Sequence, residues 1–168
     1  AIGFSHQILL PQLVEEQYGR GIGLMGLLQS VGAIGGLGGG LFIASRREVS
    51  YKGRLMLLAA LSYGIALLGF AGANHMWMAF PLIIWIGASQ TLFRAGNTAT
   101  LMEIAPDRLR GRIISATLLD TALSPIAGLA AGLTADLWGV SYGYILLSVA
   151  CLSVVALTML IYPKIKDV

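Results

Sequence analysis

The sequence predicts an all-α membrane protein, one transmembrane helical bundle over residues 1–168 with five complete spans and a truncated first span. Of the 168 residues, 57% are hydrophobic and 11% are charged, and the mean hydropathy is +0.80. These charges are too few to cover the surface of a soluble domain. Uncharged runs also reach the length of about 20 residues that a bilayer requires. In addition, most of the basic residues fall in alternate connections.

The apolar runs set the predicted elements in chain order. Residues 1–14 are apolar but short and contain Pro11, so we interpret them as the last part of a helix in which the chain begins. A signal peptide is the alternative for this segment, but no basic stretch precedes it. The uncharged run 55–93 is too long for one helix and breaks at "GANHM". The predicted segments are a partial helix at 1–14 and helices at about 21–45, 55–72, 76–101, 113–135 and 142–162.

The basic residues predict the topology. Nine of the eleven Lys and Arg residues lie in the loops 46–54 and 102–112 and in the tail 163–168, whereas the connections 73–76 and 136–141 contain no Lys or Arg. This alternation is what the positive-inside rule predicts if the basic loops and the tail are cytoplasmic. The clusters lack interleaved aromatic residues and lie between spans, which argues against nucleic-acid binding. We therefore expect a multi-pass protein of a cell membrane, the bacterial inner membrane, with the lipid bilayer as its partner.

The run "GIGLMGLLQSVGAIGGLGGG" contains two glycine patterns. Gly21 to Gly26 match the G-x-G-x-x-G spacing of dinucleotide-binding loops, but "EEQYGR" precedes them where a strand would be required. With 22 glycines in the chain, this spacing is explained by chance. The second pattern recurs every fourth residue and forms two adjacent ridges on one helix face. These glycines predict a helix-packing surface, either static or sliding, because small residues let helices approach closely in lipid. They are Gly32, Gly36 and Gly40 on one ridge and Gly35 and Gly39 on the other.

Two charged residues lie well inside predicted spans, where an ionised side chain costs at least about 2.5 to 3.5 kcal/mol. Arg94 lies seven residues before the cytoplasmic end near Leu101, and Asp120 lies seven residues after the cytoplasmic start near Ile113. At about 1.5 Å per residue, both are about 10 Å below the same membrane face. We expect them to pair or to share a polar pocket, for a structural or a working role.

Polar residues follow helical spacing around this pair. Gln90, Arg94 and Asn97 form one stripe, and Gln29 adds an amide to the glycine-rich helix. A second stripe consists of Thr117, Asp120, Thr121, Ser124 and Gly128. Three helices are thus expected to face a polar interior, whereas helices 55–72 and 142–162 face lipid. Polar contacts between helices of a bundle without a pore are the alternative.

Catalytic and metal-binding patterns are missing from the sequence. Cys151 is the single cysteine, and His6 and His75 are far apart in the chain. No metal-ligand spacing and no Ser/His or paired-carboxylate constellation at membrane depth is visible. We expect no enzyme, no metal site and no cofactor.

A long segment, "FRAGNTATLMEIAPDRLRGRIISATLLDTALSPIAGLAAGLTADLWG", resembles the tenth-to-eleventh helix region of bacterial major facilitator superfamily exporters. The closest resemblance is to the branch that contains macrolide and other drug exporters and the enterobactin exporter. That branch has a P-D-x-x-R-G-R loop, a Ser/Leu-Pro step inside the next helix and a final G-x-x-A-D-x-x-G. The start of the chain, "LPQLVEEQYGRGIGLMGLLQSVGAIGGLGGG", is similar to the end of the seventh helix and the eighth helix. The matching residues are Pro106, Asp107, Arg110, Gly111, Arg112, Ser124, Pro125, Gly132, Ala135, Asp136 and Gly139.

The resemblance implies a fold and a function. The fold is the C-terminal six-helix half of a twelve-helix major facilitator carrier, so the partners are the missing N-terminal half, a small-molecule substrate and protons. The implied activity is proton-coupled efflux, as in an antiporter, of drug-like molecules or siderophores by alternating access. Asp120, as the acidic residue deep in a span, is the expected coupling group. The alternative function is a non-transporting membrane scaffold or sensor.

The loop after the glycine-rich helix departs from the family pattern. These carriers often have an Asp beside the basic run there, whereas "GLFIASRREVSYKGR" has no acidic residue at that place. Arg46 or Arg47 could instead meet Glu103 or Asp107 from the other cytoplasmic loop. Together with Arg110, Gly111 and Arg112, these residues are the candidates for a cytoplasmic gate.

Overall fold

The described part of the chain forms six α-helices and contains no strand, so the predicted all-α class is confirmed there. In this computed structural model the helices are α1 (Ile2–Tyr18), α2 (Ile22–Ser45), α3 (Lys52–Ala71), α4 (Met76–Ile104), α5 (Arg110–Trp138) and α6 (Val140–Ile161). The described residues are 2–19, 22–45, 52–73, 75–104, 106, 108 and 110–161. The described side chains exclude those of 2–4, 17, 22, 52, 103, 104, 110, 113, 116 and 119–121.

Five helices extend beyond their predicted apolar segments. α1 continues to Tyr18, α3 begins at Lys52, α4 ends at Ile104, α5 runs from Arg110 to Trp138, and α6 begins at Val140. The predicted bounds followed hydropathy, whereas backbone hydrogen bonds continue a helix through charged residues outside the hydrocarbon layer. α1 ends because Gly19 adopts a φ of 56°, and its N–H donates to the Glu15 carbonyl at 3.2 Å.

Four helices are long and apolar enough to cross a membrane within the described part of the chain. They lie in α2, α3, α4 and α6, and α5 contributes a shorter apolar stretch, Ala122–Trp138. Several such helices in one chain indicate a multi-pass membrane protein. The complete span at 113–135 stays a prediction.

Helices that are not consecutive in the chain form much of the packing. α2 packs most extensively on α4, α3 lies between α4 and α6, and α1 packs on both α5 and α6. α4 and α5 share little contact. Contacts between α1 and α5 progress in the same direction along both helices, from Ser5–Ser124 to Gln12–Asp136. These two helices therefore run parallel, as alternate spans of an up-and-down bundle should.

The cluster of buried core residues draws on all six helices. Phe70 and Tyr144 pack edge to face there, with ring centroids 5.2 Å apart. The apolar window of α3 is 44% buried, against 17% for α2 and 22% for α6. α3 is therefore more buried than α2 and α6, which its composition did not predict, because composition reports the polarity of a helix and not its place among its neighbours; that α3 faces lipid stays a prediction.

Candidate functional site

The glycine face of α2 packs against the backbone of α4. A methyl group added at Gly35 would overlap the backbone of Ile84, and one at Gly39 would lie 2.6 Å from the Ala88 carbonyl oxygen. In return, a methyl group at Gly87 of α4 would overlap the backbone of α2. Only glycine allows such an approach of two helix backbones, so both helices depend on it here.

At the other three predicted glycines, an added methyl group would meet side chains of α4 first. A methyl group at Gly36 would lie 3.0 Å from the Thr91 hydroxyl, and one at Gly32 would lie 3.3 Å from the Ile83 side chain. At Gly40 the distance to the Thr91 methyl would be 3.7 Å, an ordinary contact. All five glycines thus lie against α4. An added methyl group would overlap the α4 backbone at Gly35, whereas at Gly40 it would make an ordinary contact.

A cavity of about 270 Å³ lies between α1, α2 and α4, beside the glycine interface. Gln29 and Gln90, two of the predicted substrate residues, both line it. The full lining is His6, Gln7, Leu10, Gln29, Gly32, Ala33, Gly36, Ile83, Ile86, Gly87, Gln90 and Thr91. The fold thus brings together two amides that are 61 positions apart in the sequence and adds an imidazole to them.

His6 is the lining residue that the sequence analysis missed. Its exposed fraction is 4%, and its Nδ1 lies 3.0 Å from the Tyr63 hydroxyl of α3. The two rings also meet edge to face, with centroids 5.9 Å apart. Tyr144 of α6 donates its hydroxyl hydrogen to the His6 carbonyl at 3.1 Å. α3 and α6 therefore fix both the ring and the backbone of this residue.

Part of the polar stripe on α5 faces α1. The Ser5 hydroxyl donates to the Ser124 carbonyl at 3.0 Å, and a methyl group at Gly128 would overlap the Ile8 side chain. The Ser124 hydroxyl itself is buried without a hydrogen-bond partner among the described residues. This end of the stripe is thus used in helix packing. The side chains of Asp120 and Thr121 lie outside the described set.

The other predicted residues lie away from the cavity or outside the described set. Arg94 follows Gln90 by one turn of α4 and is exposed, and Asn97 is partly buried. Since the Asp120 side chain is outside the described set, the pairing of Arg94 with Asp120 stays a prediction. The gate candidates Arg46, Arg47 and Asp107, and the side chains of Glu103 and Arg110, also lie outside the described set. Gly111 and Arg112 are exposed at the start of α5.

A second polar cluster, which the sequence analysis did not predict, joins the C-terminal ends of α1 and α5 to the N-terminal end of α6. The Gln12 amide donates to Glu16 Oε1 at 3.0 Å and to Asp136 Oδ1 at 3.1 Å. Glu16 Oε2 accepts the N–H of Val140, the first residue of α6, at 3.3 Å. A carboxylate at this position stabilises the positive end of the α6 dipole. No group of three or more His, Cys, Asp or Glu side chains within the described ranges is arranged to hold a metal.

The fold and the cavity define a multi-pass α-helical membrane protein with a polar hollow among its helices. The chain is similar to the Staphyloferrin A transporter of Staphylococcus aureus (strain NCTC 8325 / PS 47), with 27% identity over 162 residues. The match covers 96% of this chain and 40% of that protein, so the chain spans less than half the length of this relative. No family model and no solved structure matches the chain.

Proposed function

We propose that the chain is the C-terminal six-helix half of a secondary active transporter of the major facilitator type. The complete carrier would be a proton-coupled exporter of small amphiphilic compounds, drug-like molecules or siderophores. One observation carries this proposal: a cavity of about 270 Å³ among largely apolar helices has Gln29, Gln90 and His6 among its lining residues. Polar groups at membrane depth mark a substrate path more often than a packing role.

The uncovered surface of α2 supports a missing half. Its apolar window is only 17% buried, and Ile34, Leu37 and Leu41 are each more than 60% exposed. Lipid or a second six-helix half would cover such a surface. The similarity to a protein named for transporting staphyloferrin A, over 40% of its length, supports both the transport function and a larger carrier.

Alternating access would move the two halves relative to each other around the cavity. The backbones of α2 and α4 approach each other closely. We expect these two helices to move as one unit, because moving one relative to the other would break this contact. We assign the coupling role to Asp120, since a group that titrates as access alternates can link proton and substrate movement.

A flux assay on the complete carrier tests the proposal. In proteoliposomes with an imposed proton gradient, staphyloferrin A should move only when the carrier is present. Asp120→Asn should abolish the dependence on the gradient, whereas Glu15→Gln, an exposed acidic residue at the end of α1, should leave it unchanged. Unchanged gradient-driven flux in Asp120→Asn would refute the coupling role. No carrier-dependent flux would favour the alternative, a scaffold or sensor.

A further inference from the structure

Two hydrogen bonds place the α3–α4 and α5–α6 connections at the same end of the bundle, where α1 ends. Tyr18 donates its hydroxyl hydrogen to the carbonyl of Ala73, between α3 and α4, at 2.7 Å. Glu16 Oε2 accepts the N–H of Val140, the first residue of α6, at 3.3 Å. The starts of α4 and α6 and the end of α5 therefore meet around the C-terminal end of α1, and we call this end of the bundle the Tyr18 end.

Three large aromatic side chains with a polar tip are exposed at the Tyr18 end. Trp77 is the second residue of α4, Trp138 is the last residue of α5, and Tyr142 is the third residue of α6. Each of them is more than half exposed. Neither indole N–H donates to another residue within the described part of the chain. Trp and Tyr side chains of this kind are enriched where the hydrocarbon of a bilayer meets the lipid headgroups.

The third tryptophan of the chain has the opposite arrangement. Trp85 lies eight residues beyond Trp77 on α4, which is about 12 Å farther from the Tyr18 end at about 1.5 Å per residue. Its ring is also largely exposed, but its indole N–H donates to the Ser62 hydroxyl of α3 at 2.6 Å. In hydrocarbon an unpaired N–H costs several kcal/mol. A tryptophan therefore needs a protein partner at depth, whereas water and lipid oxygens can serve as partners among the headgroups.

Charged and apolar side chains place the edge of the hydrocarbon at the same level. The carboxylates of Glu16 and Asp136 are exposed at the Tyr18 end, and a charged group is costly inside the hydrocarbon. Farther from this end, Leu133 of α5 and Leu146 and Val149 of α6 are exposed and apolar. The surface thus changes from polar and aromatic to apolar within about two helical turns.

We propose that Trp77, Trp138 and Tyr142 lie in the headgroup region of one leaflet and contact phospholipid there. The indole N–H groups and the phenol hydroxyl donate to phosphate and ester oxygens of the lipid, while the rings cover the first part of the acyl chains. In the predicted topology this leaflet is the one opposite the basic loops. The inference concerns the contact with lipid and does not depend on the proposed transport function.

This interface also sets the depth of the cavity between α1, α2 and α4. Gly87 lines the cavity and lies ten residues beyond Trp77 on α4, which is about 15 Å deeper at about 1.5 Å per residue. Since the hydrocarbon core is about 30 Å thick, the cavity lies near the middle of the bilayer. Trp85 lies at almost the same depth and can report it.

Fluorine NMR of the complete carrier labelled with fluorotryptophan tests this inference. The carrier is placed in phosphatidylcholine nanodiscs in which some lipids carry a nitroxide on the headgroup or near the end of an acyl chain. Trp77→Phe, Trp85→Phe and Trp138→Phe each remove one signal and thereby assign it. The signals of Trp77 and Trp138 should lose intensity mainly with the headgroup nitroxide. The signal of Trp85 should lose intensity mainly with the acyl-chain nitroxide, because broadening falls steeply with distance.

Several outcomes overturn the inference. If neither lipid nitroxide affects Trp77 and Trp138, protein such as the missing half covers them. If only a water-soluble gadolinium chelate affects them, they lie in solvent, and if the acyl-chain nitroxide has the larger effect, they lie in hydrocarbon. A Trp85 signal that responds mainly to the headgroup nitroxide would show that the boundary is placed at the wrong depth.

The two interfacial tryptophans provide independent tests. Both are exposed at helix ends, so replacement by Phe should preserve the fold. If one variant does not fold, the signal at the other position still decides. The result is also separate from the flux assay, since a carrier that transports with both tryptophans out of reach of lipid would keep the transport function and lose this interface.

Discussion

At the scale of single residues, Arg94 and Asp120 carry the largest predicted electrostatic cost, since both lie within predicted spans. If they pair, either single substitution leaves a charge in a poor environment, whereas removing both avoids that penalty. We predict that Arg94→Ala with Asp120→Ala destabilises the carrier by about 1 to 3 kcal/mol less than the sum of the single substitutions. Thermal unfolding of the detergent-solubilised carrier measures this difference.

Glu15 provides the control for this cycle. It is exposed near the end of α1, and Arg94→Ala with Glu15→Ala should therefore give additive losses within about 0.5 kcal/mol. Additive losses for Arg94 with Asp120 as well would contradict the pairing.

The two glutamines at the cavity could be predicted from the sequence, whereas His6 could not. Gln29 and Gln90 stand out because each is an amide within a long apolar segment, and the structure places both at the cavity. His6 lies in a short segment near the start of the chain, and its significance depends on Tyr63, 57 positions later. Spacing along one helix predicts which residues share a face. It does not predict which distant helix supplies the hydrogen-bond partner.

At the scale of helices, the α2–α4 interface makes a sharp prediction. Gly35→Ala places a methyl group on the backbone of Ile84, which cannot move aside as a flexible side chain would. We expect a loss of about 1 to 3 kcal/mol in stability, typical of overpacking, with a smaller loss for Gly39→Ala. Unfolding of the purified carrier in detergent gives the order of the variants.

Gly38 is the matched control on the same helix. An added methyl group there meets nothing within 4 Å, so Gly38→Ala should be neutral or stabilising by up to about 1 kcal/mol, since alanine favours helix over glycine. Equal losses for Gly35→Ala and Gly38→Ala would show that α2 does not contact α4 in this way.

The connection between α5 and α6 carries a second prediction at this scale. Glu16 accepts the first N–H of α6 and the Gln12 amide, so it acts as a helix cap supplied by α1. Glu16→Ala should destabilise the bundle by about 0.5 to 1 kcal/mol, the lower part of the range for lost caps, because the site is exposed. Glu15→Ala removes the same charge one position earlier and should cost less. Thermal unfolding of the two variants measures this difference. Equal unfolding midpoints for Glu16→Ala and Glu15→Ala would argue against a cap.

At the scale of the molecule, the sequence predicts the number and length of most helices but not their arrangement. Uncharged length and loop charge act locally, so they locate α2, α3, α4 and α6 within a few residues. The pairing of α2 with α4 and of α1 with α5 joins elements separated by one or more helices. Gly87, the partner of the glycine ridges, is a single glycine in "GASQ", and a four-residue period cannot reveal it. The burial of α3 likewise follows from its neighbours and not from its composition.

Membrane orientation is a property of the whole chain, and two exposed positions test it. Arg108 lies in the predicted cytoplasmic loop 102–112, and His75 lies in a connection without Lys or Arg, which should be on the opposite side. In a Cys151→Ala carrier, His75→Cys should react with a membrane-impermeant maleimide in spheroplasts. Arg108→Cys should react only in inverted vesicles. Reaction of Arg108→Cys in intact spheroplasts would show that the predicted topology is reversed. The basic loops would then lie outside, where the predicted cytoplasmic gate could not act. A positive loop resists transfer across an energised membrane. In spheroplasts we therefore expect the maleimide to label the cysteine at position 75 but not the one at position 108.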